Sequence, residues 1–165
     1  TRFLIPFLMK YQGKAYFCDC DFLFNVDIAN IFEIGEKDNW SKAVYVVQHD
    51  YIPKNTTKMD GQKQVAYPCK NWSSSVLWNC DHPANKAITL DFVNNVHPSV
   101  LHRFYWLNDN QIGEMPLQWN WLEGEYNKPT SVPDVIHYTN GGPWFDNCQN
   151  CDFAELWQKA YDEIS

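Results

Sequence analysis

Lys14-Ala15-Tyr16-Phe17-Cys18-Asp19-Cys20-Asp21-Phe22-Leu23-Phe24 is the stretch whose reading decides the fold. Five residues suited to a strand run into two aspartates separated by one residue, and apolar residues resume at once. In an extended chain residues i and i+2 point to the same side, so Asp19 and Asp21 are set to present their oxygens to one point beyond a strand's end. Two carboxylates held together in an apolar setting repel each other and are poorly hydrated, and a divalent cation relieves both problems. Oxygen donors of this kind suit Mg²⁺, Mn²⁺ or Ca²⁺ rather than a thiolate-seeking metal. The plain alternative is a solvated turn whose carboxylates cap the next element.

Upstream, Phe3, Leu4, Phe7 and Leu8 fall at helical spacing, with Pro6 confining or kinking the helix and Gly13 ending it. Downstream, Asp27 with Ile28, Ile31 and Phe32 reads as a capped helical turn. Ala43-Val44-Tyr45-Val46-Val47 is the clearest strand, continuously apolar as a strand buried on both faces would be. Residues 52–64 are polar and lysine-rich, the composition of a surface loop. A strand is expected from Ser73 to Trp78, helices over Leu90 to Val96 and Val100 to Leu107, and an aromatic loop or short strand over Pro116 to Leu122. Val135 to Tyr138 reads as a short strand leading into the tight turn Thr139-Asn140-Gly141-Gly142-Pro143-Trp144. Phe153, Leu156, Trp157 and Tyr161 mark an amphipathic closing helix. Strands alternating with helices predict an α/β layer arrangement, here a single domain over residues 1–165.

Composition narrows the function. The 45% hydrophobic and 16% aromatic content supports a real core. A net charge of −7 with only Arg2 and Arg103 as arginines argues against nucleic acid or an anionic membrane as partner. No apolar run reaches the length of a membrane span and no signal peptide is recognisable, so a cytoplasmic location is expected. The six cysteines are an even count, but Cys18 and Cys20 sit in a strand-like segment and only Cys148-x-x-Cys151 has zinc or redox spacing, a weak signal alone. Two glycosylation sequons, at Asn55 and Asn71, have no secretory context.

The second chemical candidate is His137, at the exit of a strand and followed by the glycine turn. Backbone N–H groups of such a turn are free to approach an anion, and the imidazole is a metal ligand. Two carboxylates and an imidazole with open positions make a workable Mn²⁺ or Mg²⁺ site.

Taken in series, these segments resemble GT-A glycosyltransferases, most closely family 8 and its bacterial and phage relatives. Arg2-Phe3-Leu4-Ile5-Pro6 is similar to the helix ahead of that family's Asp-x-Asp motif, and Tyr16 to Leu23 resembles the motif itself. Asp27-Ile28 with Ile31-Phe32 resembles the step after it. Asn71-Trp72-Ser73-Ser74-Ser75-Val76-Leu77-Trp78-Asn79 is similar to the segment lying near donor and acceptor. Leu117-Gln118-Trp119-Asn120-Trp121 resembles the late Trp-Asn element, and His137 to Trp144 the terminal His-x-x-Gly-x-x-Lys-Pro-Trp. The resemblance implies a mixed sheet flanked by helices and a metal site of Asp19, Asp21 and His137. It implies donor contacts at Asp19, Gly141 and Gly142, and substrate contacts at Ser74, Ser75, Trp119, Asn120, Trp121 and Trp144. The implied partners are a nucleotide sugar, in the first instance a UDP-sugar, and a carbohydrate or other acceptor. Gly142 stands where the family carries a diphosphate-contacting lysine, and the family's amino-terminal nucleotide-binding half has no counterpart here. The chain therefore resembles a carboxyl-terminal part, and uncovered sheet or apolar surface would favour a homodimer. A non-catalytic module binding carbohydrate or a partner chain, a sugar-phosphate nucleotidyltransferase and a zinc protein built on Cys148 and Cys151 are the competing readings.

Overall fold

The computed structural model describes residues 2–53 and 68–164. Their contacts form two compact units, each with its own sheet. Most of the lysine-rich stretch expected as a surface loop lies outside the described residues.

The first unit is built on four strands, β1 (Lys14–Cys18), β3 (Val44–Val46), β4 (Ser75–Asn79) and β5 (Ile112–Glu114), in the order β1-β4-β3-β5. β4 pairs antiparallel with β1 and β3, and β3 pairs parallel with β5. Every residue of β3 and β4 is buried, including the polar Ser75 and Asn79 at the ends of β4. Helix α1 (Ile5–Leu8) is a single turn with Pro6 at its start. It ends earlier than Gly13: Lys10 and Tyr11 adopt φ of 52° and 55°, and Gly13 at 73° turns the chain into β1. Helices α2 (Phe32–Glu36), α3 (Leu90–Asn95) and α4 (Pro98–His102) follow. Thr89 caps α3 by accepting the Phe92 N–H. The helix expected to reach Leu107 stops at His102, because Phe104 takes φ 54° and its ring turns into the core. That core gathers Phe3, Val44, Val46, Val76, Trp78, Leu101 and Phe104, with Trp106 stacked on Trp78 at 6.3 Å. The strand expected from Ser73 begins at Ser75, after a helical turn over Trp72–Ser74.

Two buried amides tie this unit together. Asn79 Nδ2 donates to the carbonyls of Trp40 and Lys42, and Asn85 Nδ2 to those of Ala43 and Asn79. Each ties two backbone carbonyls together, and those of Ala43 and Asn79 also accept the backbone N–H groups of Asn79 and His82.

The second unit carries β2 (Phe22–Phe24), β6 (Trp121–Leu122) and β7 (Val135–His137), in the order β2-β7-β6, with helix α5 (Ala154–Ile164). β2 and β7 pair antiparallel, placing Phe22 opposite His137, while β6 and β7 pair parallel. The core here is smaller: Trp121, Ile136, Tyr138 and Phe153, packed by Leu156 and Trp157. Trp121 meets Phe153 edge-on at 5.4 Å, and the Tyr138 hydroxyl donates to the Phe153 carbonyl. Among the described residues no helix is long and apolar enough to cross a membrane.

Candidate metal centre

Asp19-Cys20-Asp21 is the connection from β1 to β2, so the Asp-x-Asp pattern lies at a strand's end as expected. The pairing of β2 with β7 then brings Asp21 to His137: the Tyr138 N–H donates to the Asp21 carbonyl, and Asp21 Oδ2 lies 3.4 Å from His137 Nε2. His137 is 2% exposed and Asp21 half-buried. In sequence only Cys20 separates Asp19 from Asp21.

The second nitrogen of His137 decides what the first can do. Nδ1 lies 2.9 Å from Asn120 Oδ1, and since that oxygen only accepts, Nδ1 carries the proton. In the neutral imidazole the Nε2 lone pair then faces a carboxylate oxygen across 3.4 Å. A proton on Nε2, or a cation bound between Nε2 and Oδ2, would relieve the repulsion of two electron-rich atoms so placed. A histidine whose outer N–H is held by an acceptor is the usual arrangement around a bound metal, so the donor set fits a divalent ion. Phe22 stacks on the imidazole at 4.3 Å and fixes its plane.

Asp19 is held differently. Arg2 grips both its oxygens, Nη2 to Oδ1 at 2.7 Å and Nη1 to Oδ2 at 3.1 Å. The same guanidinium donates to the Ser73 carbonyl and lies over the Phe17 ring. A bidentate fork of this kind is among the stronger charge-assisted contacts, so much of the Asp19 charge is already balanced. Nearby, Ser73 Oγ bonds His102 Nδ1 at 2.8 Å, and burial, with Arg2 second, holds the His102 pKa below its ordinary value.

The remaining expected site residues divide by burial. Ser74 and Ser75 are buried; Ser74 Oγ donates to the Asn71 carbonyl and Ser75 Oγ bonds the Tyr16 hydroxyl. Trp119, Asn120 and Trp121 are buried too, so their expected contact with a sugar gives way to packing and to holding His137. Of the six expected substrate contacts only Trp144 presents a ring to solvent. The glycine turn also differs from expectation: the Gly141 N–H donates to the Tyr138 carbonyl, which takes it out of an anion-binding role. Gly142 is instead the seat of an indole, for a Cβ there would stand 2.0 Å from Trp144 Cζ3. At the Cys148-x-x-Cys151 pair, burial and then Glu123 push the Cys151 thiol up to about 12, the opposite of what a zinc or redox thiolate needs. Sequence reasoning missed Arg2 as the partner of Asp19 and Asn120 as the partner of His137. Scarcity was the available signal for Arg2, one of two arginines in the chain.

The fold is that of the GT-A glycosyltransferases. The structure is similar to the glycosyltransferase GlyE of Streptococcus pneumoniae TIGR4, with a TM-score of 0.61 at 16% identity over 96% of this chain and 42% of that one. An active-site mutant of LgtC gives a TM-score of 0.56 at 14% identity, covering 99% of this chain and 66% of that one. At these identities the likeness is one of fold. In sequence, the chain is 50% identical over 170 residues to Protein CDI of Arabidopsis thaliana, covering 100% of this chain and 64% of that relative's length. That relative is from a plant, where the sequence resemblance pointed to bacteria and phage. No family model matches the sequence.

Proposed function

We propose that this chain is the metal-binding part of a glycosyltransferase that moves a sugar from a nucleotide-sugar donor, in the first instance a UDP-sugar, to an acceptor. The observation that carries the reading is the facing of His137 Nε2 and Asp21 Oδ2 inside a GT-A fold, with Nδ1 already committed to Asn120. Asp21 and His137 are the direct ligands for Mn²⁺ or Mg²⁺. Asp19, balanced by Arg2, either shares the metal or holds the donor's ribose. A bound divalent ion would stabilise the negative charge that develops on the departing diphosphate. The chain's own part is to position: Asn120 keeps the tautomer of His137, Phe22 its plane, and Arg2 the orientation of Asp19.

Thermal melting alone, with Mn²⁺, and with Mn²⁺ plus UDP, GDP or a UDP-sugar tests this, since a ligand of the native state stabilises by roughly 2.7 kcal/mol at a hundred times its Kd. Stabilisation by Mn²⁺ that grows with one nucleotide is the expected result. Asp21→Asn should lose the Mn²⁺ response, and an unchanged response would overturn its assigned role. The burial of Ser74, Ser75, Trp119, Asn120 and Trp121 supports a second reading, a non-catalytic module that binds carbohydrate or a partner chain. Stabilisation by Mn²⁺ with no nucleotide effect would favour it.

A further inference from the structure

An aromatic ladder on the second unit has no part in the metal centre. Trp144 lies 5.7 Å from Trp157, and Trp157 stacks on Tyr161 at 5.3 Å and 14°. Trp157 and Tyr161 stand four apart on α5 and so share a face of the helix. Aromatic rings of this size are ordinarily buried, yet Trp144 is 40% and Tyr161 49% exposed.

Trp144 is nonetheless fixed in place. Its indole rests on Gly142, where no side chain would fit, and Tyr138 braces it edge-on at 5.8 Å. An open recess of about 420 Å³ is lined by Pro143, Gln149, Ala154, Glu155 and Gln158. Pro143 precedes Trp144, and Ala154 and Gln158 lie three before and one after Trp157 on the same helix. The volume falls in the range of small-molecule sites, roughly 300–1,000 Å³.

We propose that this face binds a neutral oligosaccharide, with a pyranose ring on the Trp144 indole and hydroxyls reaching Gln149, Glu155 and Gln158. The apolar face of a pyranose carries C–H groups of partial positive charge that match the negative face of an aromatic ring. Amide and carboxylate side chains pair with hydroxyls as both donors and acceptors. Gln158 is already oriented, its Nε2 donating to Asp162 Oδ1 at 2.8 Å. The recess is lined by a carboxylate and by neither lysine nor arginine, which selects against phosphorylated or otherwise anionic sugars. The inference rests on the transferase reading only for the glycan's role, which would be that of acceptor; binding itself stands apart from it.

The test titrates maltotetraose, cellotetraose and chitotetraose to about 10 mM against the protein by saturation-transfer NMR and calorimetry. At least one is expected to bind, and Trp144→Ala and Tyr161→Ala should each weaken it about tenfold or more. Gly142→Ala should act like Trp144→Ala, because it displaces the indole without removing it. Tyr161 and Gln158 are exposed, so Tyr161→Ala and Gln158→Ala keep the test usable if changes at the turn unfold the chain. Mn²⁺ and UDP responses measured on the same Tyr161→Ala protein should match the parent. Failure of all three tetrasaccharides to bind, or binding unchanged in Tyr161→Ala and Gln158→Ala, overturns the proposal whatever the nucleotide result. A tetrasaccharide bound in the absence of any Mn²⁺ or UDP response sustains it and removes the transferase reading alone.

Discussion

The two units use amide side chains to different ends. In the first, Asn79 and Asn85 aim their Nδ2 groups at backbone carbonyls of Trp40, Lys42, Ala43 and Asn79. In the second, Asn120 and Asn140 address side chains, the His137 imidazole and the Glu125 carboxylate. An amide that closes a loop carbonyl secures the backbone, and its worth is read in stability. An amide that orients a titratable group contributes little to the fold's cohesion and much to what that group can do. The contrast separates scaffold from chemistry without reference to any bound ligand.

The comparison can be broken most forcefully in the first core. Trp78→Ala should cost about 3–5 kcal/mol, since it empties a fully buried indole site and removes the platform for Trp106. Urea denaturation reads it directly, and a loss near zero would mean the sheet is not the chief source of stability. Asn85→Ala comes next, at about 1–3 kcal/mol in the same assay, for it removes two buried hydrogen bonds to carbonyls that keep only the backbone donors of Asn79 and His82. Asn120→Ala should differ in kind, lowering Mn²⁺ affinity 10- to 100-fold as loss of an outer-shell partner does, with a stability change of about 1 kcal/mol. Mn²⁺ binding followed by electron paramagnetic resonance distinguishes the two, and equal effects of both amides on stability alone would erase the contrast.

The smallest effect concerns pH. Burial and Arg2 hold the folded-state pKa of His102 below the ordinary value near 6.5, so the unfolded chain binds its proton more readily. The contribution of His102 is therefore fully favourable above about pH 6.5 and declines as pH falls below it. Stability of His102→Gln should fall less steeply than that of the parent over this window, and parallel slopes would dissociate the imidazole from the acid response.

Much of the first unit was legible because its strands announce themselves. Val44, Val46, Val76 and Trp78 are apolar at every position a doubly covered strand demands. The approach of Asp21 to His137 was also readable, since a carboxylate and an imidazole are a recognisable donor pair. The split into two sheets was not: β2 and β6 are three and two residues long, shorter than any periodicity can register, and β3 meets β5 in a parallel pairing that no local pattern encodes. Trp119 and Trp121 misled for a related reason. An indole stacks on a sugar or fills a core with the same chemistry, and only Phe153 packed against Trp121 decides between them. Arg2 was hidden because its partner Asp19 lies on the far side of a helix and a strand in sequence.

The register of the strands has a consequence for how the chain acquires its chemistry in time. None of the described strand pairings is a tight hairpin; β1 waits for β4, and Phe22 for His137. Pairings between distant residues are closed slowly, at the entropic cost of a long loop, and a nascent chain emerges amino terminus first. The first sheet is complete once β5 has been made, whereas β2 stays unpaired until β7 arrives. Asp21 and His137 can therefore meet only after the strands of the first sheet have been made, and a chain ending before residue 135 would carry those strands and no metal centre.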